Sequence, residues 1–314
     1  MIAIVFAECV LSLDYFLYDS RFRIFHKTHE IQETEFFHLT GDMNIPYVMA
    51  SDTIHHFWWN AIYKTNSSGL LGDENSTGSN NLLFVGDSVT FGVGVQQNET
   101  FPEILRGKIA GVRIAIAAVP GYTTEHEIKL LKEILNRGTF RPNLVIFQFS
   151  GNDYDKPERV VRRDRYYFYE KNPIKAFGHP SGFYKFLLNH SNLFFRAHQI
   201  LSGLFSKWVG LEWYPNRYHE IFNQLAELKR LAEKSDFKIL FVCFPDQTRL
   251  SSQRLSEYAS FQSIFEHVVD LGPLLVNEPT LWFDPWHPNA KGHELIASAI
   301  LGYVSKQHLL NTSD

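Results

Sequence analysis

The sequence predicts an α/β fold built on a parallel sheet with helices on both faces. Three observations carry this expectation. From residue 82 onward short apolar runs alternate with longer amphipathic stretches, the order of a strand–helix repeat. Most of the apolar runs are continuous rather than alternating, as strands covered on both faces require. Finally, Ser88, Gly121 and Asn152 each stand just past the end of such a run, on the edge where these sheets bind ligands.

Strands are expected at 82–86, 112–118, 143–149 and 237–244, with a weaker one at 268–271. The first reads Leu-Leu-Phe-Val-Gly and ends on a glycine where the backbone must turn. Helices are expected at 100–110, 124–137, 217–235, 252–266 and 290–305. Thr124-x-x-Glu127 reads as a capping box at the start of the second, and Gly138 stands at its C-cap. Asn289 is placed to cap the last. Cys243 falls inside an apolar strand and is expected as a small buried hydrophobe.

At 314 residues the chain can bury one large core, or one core and a small appendage. Residues 65–81 are rich in Gly, Ser and Asn and read as a loop, dividing an N-terminal extension at 1–71 from a main domain at 72–314. That domain is interrupted by an insertion at about 154–216, too long for a simple connection. The insertion opens on Arg159, Arg162, Arg163 and Arg165 followed by Tyr166, Tyr167, Phe168 and Tyr169, expected as a solvated hairpin face. An apolar helical stretch from Phe183 to Phe205 follows. A helix apolar nearly all round is expected to be buried, with a lid over an acyl chain or a membrane-facing patch as the alternatives.

Residues 1–18 are mostly apolar but contain Glu8 and Asp14, and lack a basic n-region and a small-residue cleavage site. They fall short of the ~20 apolar residues that span a bilayer. A packed or interfacial helix is the expectation, and part of a membrane anchor the alternative; localisation is otherwise open. The net charge of −4 favours no nucleic-acid partner. Two cysteines, Cys9 and Cys243, are too few for a disulfide framework. No metal-ligand spacing and no phosphate-binding glycine loop is present, so neither a metal nor a cofactor is implied. His55-His56, beside Trp58-Trp59, reads as packing.

The chemistry-bearing residues follow the strands. Gly86-Asp87-Ser88 puts a hydroxyl on the turn after the first strand, although a turn that merely caps a helix has the same form. A serine hydroxyl is a weak nucleophile until a base takes its proton. His287 is the candidate base and Asp284 its orienting partner, since a carboxylate on Nδ1–H fixes the tautomer and stabilises the imidazolium. His293 is a weaker rival, one turn into the last helix. Acyl transfer also needs donors for the oxyanion. Ser88 N–H, Gly121 N–H and the Asn152 amide are the candidates, against a turn glycine at 121 and an Asx-turn at 152.

In combination these motifs resemble the SGNH (GDSL-like) hydrolase family, named for Ser, Gly, Asn and His. Gly86-Asp87-Ser88 opens the match, Gly121 follows the second strand, Gly151-Asn152-Asp153 the third, and Asp284-x-x-His287 closes it. The resemblance implies a flavodoxin-like, three-layer α/β/α sandwich around a five-stranded parallel sheet. It also implies Ser88 as nucleophile, His287 and Asp284 as base and partner, and Ser88, Gly121 and Asn152 as the oxyanion hole. The order Ser…Asp…His also occurs in α/β-hydrolases, but their Gly-x-Ser-x-Gly would need a glycine where Thr90 stands. The implied function is a serine esterase, without cofactor, acting on an acyl or acetyl ester of a lipid or carbohydrate through an acyl-serine intermediate. The alternatives are transfer of acetyl to a polysaccharide hydroxyl, and a catalytically silent flavodoxin-like binding module. The silent module would lack a member of the constellation, and the sequence lacks none.

Overall fold

A computed structural model describes residues 31–32, 36–40, 45, 47–57, 60–72, 80–150, 153, 159–163, 166–170, 217–245, 260–276, 278–284 and 286–310. The expectations for residues 1–18, for the apolar stretch Phe183 to Phe205, and for Asn152 lie outside these residues. The strands, in chain order, begin with β1 (Ile31–Gln32), β2 (Phe37–Leu39), β3 (Tyr47–Met49), β4 (Ile54–His56) and β5 (Ile62–Lys64). They continue with β6 (Asn80–Gly86), β7 (Val112–Ala118), β8 (Leu144–Phe149), β9 (Arg159–Arg163) and β10 (Tyr166–Glu170). The last are β11 (Lys238–Cys243) and β12 (His267–Asp270). The helices used below are α1 (Ser88–Phe91), α2 (Phe101–Lys108), α3 (Thr124–Arg137), α4 (Arg217–Ser235) and α5 (Ala290–Lys306).

The chain divides into two compact units. One comprises residues 1–32 and 158–216, and the other residues 33–157 and 217–314. In the first, β9 and β10 form an antiparallel hairpin, and β1 pairs with β10. The second holds a five-stranded, all-parallel sheet in the order β12-β11-β8-β6-β7. This is the doubly wound order in which the winding reverses between its first and third strands, here β6 and β8.

The strands form where the apolar runs stand, because burial on both faces favours unbroken β-formers. Leu82 to Val85 and Leu144, Val145 and Phe147 are fully buried. On one face α3 packs on α4, and Phe222 of α4 stacks on Phe261, which meets Phe149 and Phe241 of the sheet. On the other α2 packs on α5, and Phe101 lies against Phe84 and His293. Two helix layers around one sheet follow from right-handed crossovers that run in opposite senses on either side of β6. The helix expected at 252–266 is described only from residue 260, where it is helical to 264.

Two expectations change. The capping box at Thr124 does not form: α3 has Thr123 at its N-cap with no side-chain bond, and the Glu127 carboxyl makes no hydrogen bond among the described residues. Thr124 Oγ1 donates instead to Asp153 Oδ1 at 2.9 Å, so a carboxylate from a neighbouring loop serves the helix N-terminus. Cys243 is half-buried rather than buried, because it is the last residue of β11 and stands at the open end of the sheet. His55 stacks on Phe36, with centroids 5.3 Å apart.

The segment before β6 belongs to the same unit as the sheet. β2 with β3 and β4 with β5 are antiparallel hairpins, and Leu71 N–H bonds Ile116 O at 2.9 Å on the outer strand β7. That bridge covers part of an edge that would otherwise be open. Among the described residues no helix is long and apolar enough to cross a membrane.

Candidate active site

The site is assembled at the C-terminal ends of β6, β7 and β8, where the winding reverses. β6 ends on Gly86, whose position admits no side chain: a Cβ would lie 2.3 Å from Thr90 Oγ1 and 2.5 Å from Gln148 Oε1. Gln148 Oε1 accepts Asp87 N–H and Thr90 Oγ–H, each at 3.0 Å, which pins the turn to β8. Asp87 caps the short helix α1 by accepting Val89 N–H at 2.9 Å. Ser88 is thereby left half-buried at the first position of that helix.

His287 and Asp284 reach this point from a loop nearly two hundred residues away. The loop is closed by Phe283 N–H on His287 O at 2.8 Å and by the Trp282–Pro288 bridge. Asn289 then caps α5, accepting Gly292 N–H at 3.1 Å. His287 Nδ1 lies 2.7 Å from Asp284 Oδ2, and His287 Nε2 lies 2.9 Å from Ser88 Oγ. With Nδ1–H donated to the carboxylate, Nε2 is the acceptor for the Ser88 hydroxyl. Asp284 Oδ1 also accepts the N–H groups of Trp286 and His287, both at 2.8 Å. Burial raises the Asp284 carboxyl, but the bond to His287 with its charge, and these two N–H groups, outweigh it and hold the group below its usual range.

Gly121 lies on the turn after β7. Gly86 pairs with Ala118, and Val119 N–H bonds Gly86 O at 3.1 Å, so the turn after β7 runs alongside the turn after β6. Neither Ser88 N–H nor Gly121 N–H donates to an acceptor among the described residues. Asn152, the third donor expected from the sequence, lies outside them. Its neighbours Ser150 and Asp153 are described: Asp153 Oδ2 accepts Ser150 N–H at 2.6 Å, and Ser150 Oγ donates to Asp87 Oδ2 at 3.0 Å. A buried chain Asp87, Ser150, Asp153, Thr124 thus ties together the turns after β6 and β8 and the start of α3. Sequence reading missed this chain, although Asp153 was visible beside Asn152.

His293, the rival base, faces the core. It is fully buried, stacks on Phe101 and accepts Phe101 N–H on Nδ1 at 3.2 Å. Burial, and then the charge of His287, lower it to about 3, so it stays neutral. Burial likewise lowers His126 to about 4.

Glu127 is a second finding that the sequence did not announce. It is fully buried, and burial, then the charges of Asp153 and Asp87, push it well above the usual carboxylate range. The sign of the linkage is therefore fixed. A carboxyl raised in the folded state contributes stability below its unfolded pKa, roughly 4.3, and loses it as pH rises through the folded value. Glu127→Gln is expected to be more stable than the parent at pH 8 and to lose that advantage toward pH 4. Melting temperatures of both proteins across this range check it; parallel curves would show no raised carboxyl.

Among the described residues no group of His, Cys, Asp and Glu is arranged to hold a metal ion. A sequence model of the GDSL-like Lipase/Acylhydrolase family matches residues 84–295. No curated protein matches the chain. Among solved structures it is similar to a psychrotrophic esterase from Pseudoalteromonas sp., at 15% identity and TM-score 0.46, covering 73% of this chain and 99% of that one. A member of the lipolytic G-D-S-L family from Veillonella parvula matches at 15% and 0.42, covering 73% and 100%. A family two carbohydrate esterase from Clostridium thermocellum matches at 12% and 0.44, covering 77% and 69%.

Proposed function

Because the chain belongs to the GDSL-like Lipase/Acylhydrolase family and is an ester-hydrolysing enzyme, we propose that it cleaves its ester through an acyl intermediate on Ser88. The observation that supports this most is the continuous line from Asp284 through His287 to Ser88, with contacts of 2.7 and 2.9 Å. In this reading Ser88 Oγ attacks the acyl carbon as His287 Nε2 takes its proton, and His287 returns that proton to the departing alkoxide. Water then attacks the acyl carbon, His287 accepts its proton, and the carboxylic acid leaves as the Ser88 hydroxyl re-forms. Ser88 N–H, Gly121 N–H and the Asn152 amide take the negative charge of both tetrahedral intermediates.

The substrate side is marked by exposed aromatics. Trp286, next to His287, is 52% exposed and Phe283 is 40% exposed. An exposed indole adjacent in sequence to His287 suits the apolar face of a sugar ring, and we assign Trp286 to that contact. Acetylated oligosaccharides and p-nitrophenyl esters of graded chain length test the reading together. Trp286→Ala is expected to raise KM for the sugar ester about tenfold, equivalent to ~1.4 kcal/mol, and to leave p-nitrophenyl acetate unchanged. A loss confined to long acyl chains would instead make the ester a lipid. Acetate recovered on added sugar, rather than free, would turn the hydrolase into an acyltransferase.

A further inference from the structure

Tyr47 lies outside the family match, which begins at residue 84, yet its hydroxyl touches the peptide that carries a proposed oxyanion donor. We propose that Tyr47 is a positioning residue for catalysis: it locks the Pro120–Gly121 peptide in the orientation that presents the Gly121 N–H. The inference rests on the reading of Ser88 as nucleophile and Gly121 as donor.

The geometry begins with the turn. Tyr122 N–H bonds Val119 O at 3.2 Å, closing a four-residue turn with Pro120 and Gly121 at its centre. Gly121 has φ +82°, the left-handed value that a type II turn requires at this position. Proline at the preceding position suits type I and type II alike, because both want φ near −60° there. The two types differ by rotating the central peptide through roughly half a turn. That rotation exchanges the directions of Pro120 C=O and Gly121 N–H, which point oppositely in a planar trans peptide. Glycine tolerates φ of either sign, so the turn sequence alone does not prevent the flip.

Tyr47 breaks the tie. Its side chain is fully buried, and its hydroxyl donates to Pro120 O at 2.7 Å. In the flipped turn that carbonyl would point away, and this hydrogen bond of a buried phenol would be lost. The ring is held in turn by Tyr122, whose hydroxyl donates to Tyr47 O and whose ring meets it edge-on with centroids 5.3 Å apart. The register Leu39↔Tyr47 fixes the strand behind it. The Tyr47 oxygen also sits where a Cβ on Gly121 would come within 2.9 Å, so residue 121 and the phenol fit only as a pair. A hydrogen bond to the carbonyl further polarises the same peptide and strengthens its N–H as a donor.

Tyr47→Phe removes one oxygen and keeps the ring. It is expected to lower kcat about tenfold, less than the roughly hundredfold loss of a whole oxyanion donor, with KM within about twofold, because the donor acts in the transition state. The rate of phosphonylation by a fluorophosphonate, whose phosphoryl oxygen occupies the same hole, should fall in proportion. Tyr63→Phe is the control. It removes an equally buried phenol that bonds Gly92 O at 2.6 Å and Val95 O at 3.0 Å, and should lower the melting temperature while sparing kcat. If Tyr47→Phe lowers only the melting temperature and keeps the parent kcat and phosphonylation rate, the positioning role is overturned. Ser88→Ala, assayed in parallel, separates the two readings. Activity surviving there overturns the nucleophile itself, whereas activity lost there and kept in Tyr47→Phe overturns Tyr47 alone.

Discussion

Ser88→Ala is expected to lower kcat on the order of 10⁴-fold or more, the largest effect of any single substitution in this chain. The reason is local. His287 Nε2 lies 2.9 Å from Ser88 Oγ, so removing the oxygen takes away the hydroxyl that the proposed base would activate. The fold should survive, since Ser88 is half-buried and α1 is capped by Asp87 rather than by the serine. A fluorophosphonate should label the parent protein, with the adduct mapped by tryptic digestion to the peptide holding Ser88. Undiminished labelling of Ser88→Ala would move the nucleophile elsewhere.

The second large effect is expected at the pair behind it. His287→Ala should lower kcat by several orders of magnitude, and Asp284→Asn by nearly as much, because an amide no longer selects the tautomer that leaves Nε2 free to accept. In the proposed mechanism Asp284 and His287 serve one proton transfer, so the double variant should be little worse than His287→Ala alone. The Asp284 carboxyl also links stability to pH. Its folded value is depressed, so the stability it contributes is present above roughly pH 4 and is lost as pH falls through that lower value. Asp284→Asn should therefore flatten the acid side of the stability profile. Strictly additive losses in the double variant would argue that the two residues do not act together.

Much of this was readable in one dimension because it depends on neighbours in the chain. A run such as Val112 to Ala118, interrupted only by Arg113, reads as a strand covered on both faces, and β7 has those bounds. The 3.6-residue rhythm and the glycine at 138 bound α3 at Thr124 and Arg137, with Gly138 left-handed at its C-cap. Motifs past strand ends mark Ser88, Gly121, Asp284 and His287, since parallel sheets gather such positions on one edge. The same rules failed at Thr124 and Glu127. Local chemistry proposes a capping box there, but Asp153, remote in sequence, offers the Thr124 hydroxyl a better partner, and Glu127 is left buried and raised.

The sequence by itself therefore determined the class of fold, the five strands of the parallel sheet to within two residues at each end, and the candidate residues for ester chemistry, all of which follow from periodicity and side-chain type. Only the tertiary structure decided the order β12-β11-β8-β6-β7, the 2.9 Å approach of His287 to Ser88 across 199 positions, and the clasp of Tyr47 on Pro120. Tyr47 illustrates the difference. In the chain it is one aromatic among many in a segment without motifs, and nothing beside it indicates a hydrogen bond to residue 120. Strand pairing and burial, which sum small contributions over the whole unit, bring its hydroxyl to that carbonyl. A distance between residues 73 positions apart is set by that sum and not by any local pattern.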